Sequence, residues 1–176
     1  RTLAGSGNAG WKDGSGHSAQ FSNPTGIAVD GEGTVFVTDR GNHRVRKITS
    51  KGTVSTLAGS GNNAVADGKG AAASLSWPHS ITIDPAAKGC LYVSDTFTFR
   101  IRRITRDGMV KTIAIGEAEL AKKRDPKEPP PESNRVNTLM SLALDPVKDY
   151  LYVCEQSNHC IRRLSLASPV VYQRGA

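Results

Sequence analysis

Residues 35–48 read Val35-Phe-Val-Thr-Asp-Arg-Gly-Asn-His-Arg-Val-Arg-Lys-Ile48. The pattern returns as Leu91-Tyr-Val-Ser-Asp-Thr-Phe-Thr-Phe-Arg-Ile-Arg-Arg-Ile104 and as Leu151-Tyr-Val-Cys-Glu-Gln-Ser-Asn-His-Cys-Ile-Arg-Arg-Leu164. In each copy, two short segments rich in β-branched and aromatic residues flank a turn, which is typical of a β-hairpin. Because one chain repeats this hairpin, the sequence indicates a repeat architecture.

The repeat continues on both sides of the hairpin. Pro24-Thr-Gly-Ile-Ala-Val-Asp30 precedes the first copy, and its counterparts are Pro78-His-Ser-Ile-Thr-Ile-Asp84 and the looser Leu139-Met-Ser-Leu-Ala-Leu-Asp145. A fourth apolar segment follows each hairpin, and long helical periodicity is absent from the sequence. Four strands at a period of about 55–60 residues predict one β-propeller blade and a long connecting loop.

The predicted fold class is therefore all-β, with propeller blades of four antiparallel strands. The single domain spans residues 1–176, with blades at about 24–59, 78–116 and 139–174. The expected strands are 26–30, 34–39, 43–49 and 53–58, then 80–84, 90–95, 99–105 and 109–114, then 141–145, 150–155, 159–165 and roughly 169–173. Because Thr2-Leu-Ala-Gly5 repeats Thr56-Leu-Ala-Gly59, it is predicted to be an orphan outer strand.

The repeated tract resembles the NHL-repeat family, named for its Asn-His-Leu sequence. Here the tract reads Asn42-His-Arg-Val-Arg-Lys-Ile48 and Asn158-His-Cys-Ile-Arg-Arg-Leu164. The glycine-rich segment between Thr56 and Pro78 resembles the subgroup with glycine-rich loops between blades. The resemblance implies a ring of six blades, of which this chain would supply half. Its members include RNA-binding regulators, protein-interaction modules, receptor regions and a few lyases, so the family does not by itself assign an activity.

Features that occur in every blade are interpreted as architectural. An acid ends each second strand, and an arginine lies in each third strand; the pairs are Asp39 with Arg46, Asp95 with Arg102, and Glu155 with Arg162. Such pairs are expected to hold the blades together. The Asp-Gly-x-Gly motifs at 13–16 and 67–70 lack the alternating acids of a calcium loop, so they are interpreted as turns.

Neither a catalytic site, a metal site nor a cofactor is predicted. The inner-strand starts carry no acids, and no serine lies in a Gly-x-Ser-x-Gly elbow. Of the four histidines, only His79 lies near an inner strand, where a metal at the propeller axis would need its ligands. Cys154 and Cys160 flank a hairpin, and a three-residue loop would place them opposite each other whereas a two-residue loop would not.

The segment 117–137 departs from the repeat. It is charged and rich in proline, and we predict it to be a flexible insertion in place of a glycine-rich connector. Its five basic and five acidic residues cancel, so the net charge of +7 resides on the propeller body. This basic balance is compatible with nucleic acid, anionic lipid or acidic protein partners. The sequence contains no run of eighteen apolar residues, so no membrane span is predicted.

Partner binding is predicted on the face where the inter-blade connectors meet the hairpin turns. The candidate residues are Trp11, Arg40, Asn42, His43, Phe97, Phe99, Arg100, Asn158 and His159. Exposed aromatics beside arginine suit either a protein anchor or the stacking of single-stranded RNA bases. A protein-binding scaffold is the preferred interpretation, RNA binding by the same face is the alternative, and a propeller enzyme ranks third.

Half a ring leaves the first and third blades with an uncovered apolar face each. We therefore expect either a homodimer that closes a six-bladed ring or a fragment of a longer propeller. The sequence does not decide the cellular compartment, with an intracellular location slightly favoured.

Overall fold

A computed structural model describes residues 1–87, 89–113, 139–145, 147–156 and 159–166. These residues form the strands β1 (Gly14–Ser15), β2 (Pro24–Val29), β3 (Val35–Asp39), β4 (Arg44–Ile48), β5 (Thr53–Ala58), β6 (Gly68–Lys69), β7 (Pro78–Asp84), β8 (Cys90–Asp95), β9 (Arg100–Ile104), β10 (Met109–Ile113), β11 (Leu139–Asp145), β12 (Tyr150–Glu155) and β13 (Cys160–Ser165). Short 3-10 helices occupy Gly16–Ser18, Arg40–Asn42, Gly70–Ala72 and Thr96–Thr98. In the described part of the chain, no helix has the length and hydropathy needed to cross a membrane.

The strands form three antiparallel sheets with the orders β1-β5-β4-β3-β2, β6-β10-β9-β8-β7 and β11-β12-β13. Each sheet is a meander in which consecutive blade strands pair, as the repeat predicts. The predicted and observed strand bounds differ by at most two residues. The fourth strand predicted for the third blade, roughly 169–173, and the insertion 117–137 lie outside the described residues. The all-β propeller fold is confirmed.

Each of the first two blades carries a short fifth strand that the sequence did not predict. Gly14 pairs with Val54 in the first sheet, and Gly68 pairs with Val110 in the second. Both glycines belong to the Asp-Gly-x-Gly motifs, which were expected to form turns alone. The motif therefore also covers the outer edge of its blade, where unpaired backbone groups would otherwise remain.

The predicted orphan strand at Thr2-Leu-Ala-Gly5 is not part of any sheet. It nevertheless repeats the hydrogen bonds of its counterpart, because Gly5 N donates to Gly16 O at 3.0 Å just as Gly59 N donates to Gly70 O at 3.1 Å. The segment thus lies against its connector as an outer strand does. It forms no ladder, since the described chain offers no third strand beside it.

Neighbouring blades contact each other at a bulge in each inner strand. The pairing register shifts between Pro24 and Ile27 in β2, and equivalent shifts occur in β7 and β11. A Cβ atom added to Gly26 would lie 2.5 Å from His79 O in the next blade, so this position requires glycine. The same carbonyl accepts hydrogen bonds from Thr25 Oγ1 at 2.9 Å and Thr38 Oγ1 at 2.8 Å.

Two apolar clusters fill the seams between blades. The first joins blade one to blade two around Phe36, Val45, Ile81, Leu91 and Ile104, and the second joins blade two to blade three around Tyr92, Ile101, Leu139, Leu151 and Val153. These seams explain why the strands are apolar on both faces.

A third cluster corrects the expectation that the free face of blade one is bare. Ala19 and Phe21 of the connector pack against Val35, Val37 and Ile48, so the outer part of this face is covered. Only the inner part of the face stays open, where Ile27 is 66% exposed and Val29 is 53% exposed.

Candidate functional site

The repeated acid–arginine pairs are buried structural links. Arg46 Nη1 lies 2.7 Å from Asp39 Oδ2, and Arg102 Nη1 lies 2.8 Å from Asp95 Oδ2, with all four side chains shielded from solvent. Arg162 Nε pairs with Glu155 in the third blade. Each arginine of the first two pairs also donates to backbone carbonyls of its connector. The geometry supports the architectural interpretation of these pairs, because their charges are used within the blade.

The Asp-Gly-x-Gly motifs complete these links. Asp13 Oδ1 lies 2.6 Å from Arg46 Nη2, and Asp67 Oδ1 lies 2.9 Å from Arg102 Nη2. Burial by itself raises the pKa of Asp67, but hydrogen bonds from the Thr112 backbone and hydroxyl and the Arg102 guanidinium outweigh it, so its pKa is lowered. The motif aspartate therefore fastens the connector to the blade.

The site proper begins with Trp77, the last connector residue before β7, which the sequence analysis did not single out. Arg40 Cζ lies over its indole, 4.7 Å from the ring centroid, and the His43 ring packs perpendicular to it with 5.5 Å between the ring centroids. The Trp77 backbone N–H also donates to His43 Nδ1 at 3.2 Å. Burial, reinforced by the charge of Arg44, lowers the pKa of His43, which favours the neutral imidazole that accepts this hydrogen bond.

Two phenylalanines of blade two continue this cluster. Phe97 N donates to Ser76 O at 3.3 Å, which places the turn Thr96–Thr98 beside Trp77. The Phe97 side chain is 66% exposed, as predicted, and Phe99 is 40% exposed. We name the group Arg40, His43, Trp77, Phe97 and Phe99 the seam cluster. Its first four members lie at the junction of blades one and two. Phe99 follows Phe97 by two residues and occupies the place of His43 in blade two, on the side of the turn that faces blade three.

Two aromatic residues of the seam cluster have a left-handed backbone. Trp77 has φ 55° where the first unit has Asn23 at φ 46°. Phe99 has φ 55° where the other hairpins have His43 at 54° and His159 at 50°. Asparagine and histidine are several-fold enriched in this region, whereas a bulky aromatic there is an outlier. Strain of this kind concentrates at functional sites.

A second aromatic–cation contact lies on blade one. The Arg44 guanidinium stacks on Trp11 at 3.8 Å, and Trp11 Nε1 donates to Thr56 Oγ1 at 3.1 Å. Arg44 is fixed by its own donation to Asn42 O at 2.9 Å and Ser60 O at 2.6 Å. Trp11 is 53% exposed, so one side of its indole remains open to a partner. Arg44 does not stand out in the sequence because it lies inside a repeated strand.

The remaining candidates divide by their contacts. Asn42 Nδ2 donates to Gly10 O and Asp39 Oδ2, both at 2.8 Å, so its amide is committed to holding the connector. Arg100 is half-buried and makes no hydrogen bond or ion pair with the described residues. His159 is exposed on the third hairpin. Asn158 lies outside the described residues.

Charge is distributed unequally between the two ends of the blades. Of the acids in the described chain, five pair with third-strand arginines: Asp13, Asp39, Asp67, Asp95 and Glu155. The others lie at the opposite ends of the strands: Asp30, Glu32, Asp84, Asp107, Asp145 and Asp149. The connector face adds Lys12, Arg40, Arg44 and Arg100 to the paired arginines. Among the described residues, the unpaired charge of this face is therefore positive.

The described residues contain no group of three or more His, Cys, Asp and Glu side chains placed to hold a metal. His79 Nδ1 instead lies 2.9 Å from Met140 O of the next blade. Cys154 pairs in register with Ile161, and Glu155 pairs with Cys160. The two cysteines therefore lie on opposite faces of the sheet and are not bridged.

Known proteins resemble parts of this chain. The NHL repeat matches residues 21–48. Protein SUPPRESSOR OF QUENCHING 1, chloroplastic, of Arabidopsis thaliana is 36% identical over 97 residues, which are 54% of this chain and 9% of that protein. The chain thus spans about a tenth of the length of this relative.

Two solved structures from Bacteroides thetaiotaomicron share the fold. A putative phosphatase superposes with a TM-score of 0.61 at 22% identity, over 79% of this chain and 34% of its own. An auxiliary nutrient binding protein superposes with a TM-score of 0.50 at 25% identity, over 62% of this chain and 28% of its own. The chain therefore spans about a third of these structures.

Proposed function

We propose that this chain, which carries an NHL repeat and folds as β-propeller blades, is a non-enzymatic scaffold that binds a protein partner through its connector face. The observation that carries the proposal is the seam cluster, in which Phe97 is 66% exposed beside Trp77. Large aromatics next to arginine are the residues that dominate protein interfaces. One of the proteins that share the fold is named as a binding protein, which agrees with this use of the blades.

The charges of the face favour a protein over RNA. Arg46, Arg102 and Arg162, which give the hairpins their basic sequence, are already paired with acids. An RNA-binding surface neutralises several phosphates with unpaired cations. Arg44 is already held by Trp11, Asn42 O and Ser60 O, so the described residues leave only Lys12, Arg40 and Arg100 for this role. Trp11 and Trp77 are each covered on one side by an arginine, which reduces the area on which bases could stack.

An enzymatic function has less support. The axial positions of the inner strands carry Thr25, His79 and Met140, with no carboxylate among them. Carboxylates at the axis are the groups that a propeller hydrolase would use for acid–base catalysis. The phosphatase named among the similar structures is below 25% identity and supports the fold alone.

Affinity capture with a matched pair of variants tests this function. Phe97→Ala removes an exposed aromatic from the connector face, and Val147→Ala removes a 90% exposed apolar side chain from the β11–β12 turn at the opposite end. We expect proteins captured by the wild type from an extract of the source cells to be lost at least about tenfold with Phe97→Ala. Val147→Ala should retain them, and ribonuclease treatment should not release them.

Capture that is equal for both variants, or that requires intact RNA, would contradict the proposal.

A further inference from the structure

We infer that the seam cluster binds an acidic protein segment that carries a large apolar side chain. This inference rests on the proposed function and names the chemistry of the partner. Three observations support it: the backbone conformation of Trp77 and Phe99, the exposure of Phe97 in a turn that is polar in the other blades, and the arginines beside these rings.

Two aromatic residues of the seam cluster have an unfavourable backbone conformation. Trp77 and Phe99 both have φ 55°, at positions where the other units carry Asn23, His43 and His159. Asparagine or histidine would tolerate this backbone better, so the fold does not require aromatics here. Neither is fully buried, and Phe99 is 40% exposed. Strain without burial indicates that these rings are retained for contact with another molecule.

The apolar part of the ligand would lie against the exposed rings. Phe97 stands at the tip of its turn, 66% exposed, and its backbone is tied to Ser76 O next to Trp77. A large apolar side chain inserted beside these rings would bury apolar surface on both partners. The turn Arg40–Asn42 of blade one carries no aromatic side chain, and neither does the sequence Gln156-Ser-Asn-His159 of blade three.

The charged part of the ligand would face the arginines. Arg40 is half-buried, lies over Trp77 at 4.7 Å and forms no ion pair with the described residues. Arg100 follows Phe99 directly and forms no ion pair with the described residues. In the described chain, the acids of the connector face are all engaged by Arg46, Arg102 or Arg162. Carboxylates of a ligand would therefore meet the guanidinium groups of Arg40 and Arg100, which no described acid engages and which can bind a carboxylate in bidentate geometry.

Fluorescence anisotropy with a defined peptide set tests the inference. The peptides carry one central Trp, Phe or Leu flanked by Asp and Glu, by Asn and Gln, or by Lys, and a single-stranded RNA oligonucleotide is the further probe. We expect the acidic set to bind at least about tenfold more tightly than the neutral set. Raising the salt from low to high concentration should weaken this binding, because the attraction is between charges.

Two substitutions separate binding from folding. Phe99→His gives blade two the residue of the other hairpins, and Trp77→Asn gives it the residue of the first connector. Both variants should fold, and both should bind the acidic peptides about tenfold more weakly than the wild type, or weaker still. Arg40→Gln should reduce the preference for acidic over neutral peptides, and Val147→Ala should change nothing.

Each outcome decides the inference. Equal binding of acidic, neutral and basic peptides overturns it, as does binding of RNA but of no peptide. If Phe97-dependent protein capture persists while acidic peptides fail to bind, the inference is wrong and the proposed function stands. If the capture also fails, both are wrong. If Phe99→His and Trp77→Asn bind acidic peptides as well as the wild type, the site lies elsewhere.

Discussion

Equivalent positions in blades two and three lie in different surroundings. Ile101 of blade two is fully buried, whereas its counterpart Ile161 is 73% exposed. Ser94 is likewise buried, and its counterpart Cys154 is exposed. The sequence pattern makes both faces apolar, but the burial itself comes from the neighbouring blade. A propeller repeat therefore carries an interface on each side, and an end blade presents one of them to solvent.

Association should give the largest effect, and we propose that a second copy covers both open faces. The face around Ile161 repeats the face of blade one that packs on blade two, and Ile27 repeats Ile81, which is 6% exposed in that seam. Each open face thus matches the other, and a two-fold axis would join blade one to blade three of its mate. We expect sedimentation at micromolar concentration to show a dimer.

Variants sharpen this test. Ile161→Glu and Ile27→Glu each place a charge in the proposed contact and should yield monomers, because a carboxylate buried there would lack a partner. Val147→Glu, on an exposed turn outside both faces, should remain dimeric. A well-folded wild-type monomer at high concentration would contradict the proposal and favour further blades in a longer chain.

The buried arginines offer the next largest effect. Arg102→Ala leaves Asp95 in the interior without its cation, and we expect a loss of about 3–5 kcal/mol in the free energy of unfolding. Arg162→Ala should cost less, because the Arg162 side chain is 17% exposed and pairs with only one described acid. Urea denaturation of both variants measures the difference. Equal losses would show that the end blade is as tightly held as the central one.

Substitutions of Ile101 and Ile161 compare the buried face of blade two with the open face of blade three. Ile101→Ala creates a cavity in the seam and should lower stability by about 2–5 kcal/mol. Ile161→Ala should change it by less than about 0.5 kcal/mol in dilute monomer, because that side chain is already 73% exposed. Thermal denaturation at low and high protein concentration checks both values. A large loss for Ile161→Ala only at high concentration would support the dimer.

Most of the fold follows from the sequence because it depends on local pattern. The predicted strand bounds agree with the structure to within two residues, and the hairpins and acid–arginine pairs lie where they were predicted. Each of these features is repeated, so each copy supports the assignment of the others. The edge strands β1 and β6 were not predicted. They contain glycine, serine and lysine, which have low or neutral strand propensity, and they form only because an edge is available.

The site was predicted less completely because it depends on contacts between units. Phe97 stood out as an aromatic in a turn, and its exposure was predicted. Trp77 and Arg44 did not stand out, because their roles come from a stacked partner distant in sequence. Asn42 was proposed for binding, but its amide is used to hold the connector. A comparison of Trp77 with Asn23 across the repeats could have identified the first of these residues.

The smallest expected effect concerns the link between the blades at His43. Burial lowers the pKa of His43 in the folded chain, with the charge of Arg44 acting in the same direction. The unfolded chain therefore binds more protons as the pH falls below about 6.5, and stability should decrease between pH 7 and pH 5. His43→Phe, which copies the residue of blade two, removes this titration. We expect the melting temperature of the wild type to decrease relative to that of the variant as the pH falls. A difference that stays constant, or that shifts in its favour, would show that the protonated imidazole is tolerated beside Trp77 and Arg44.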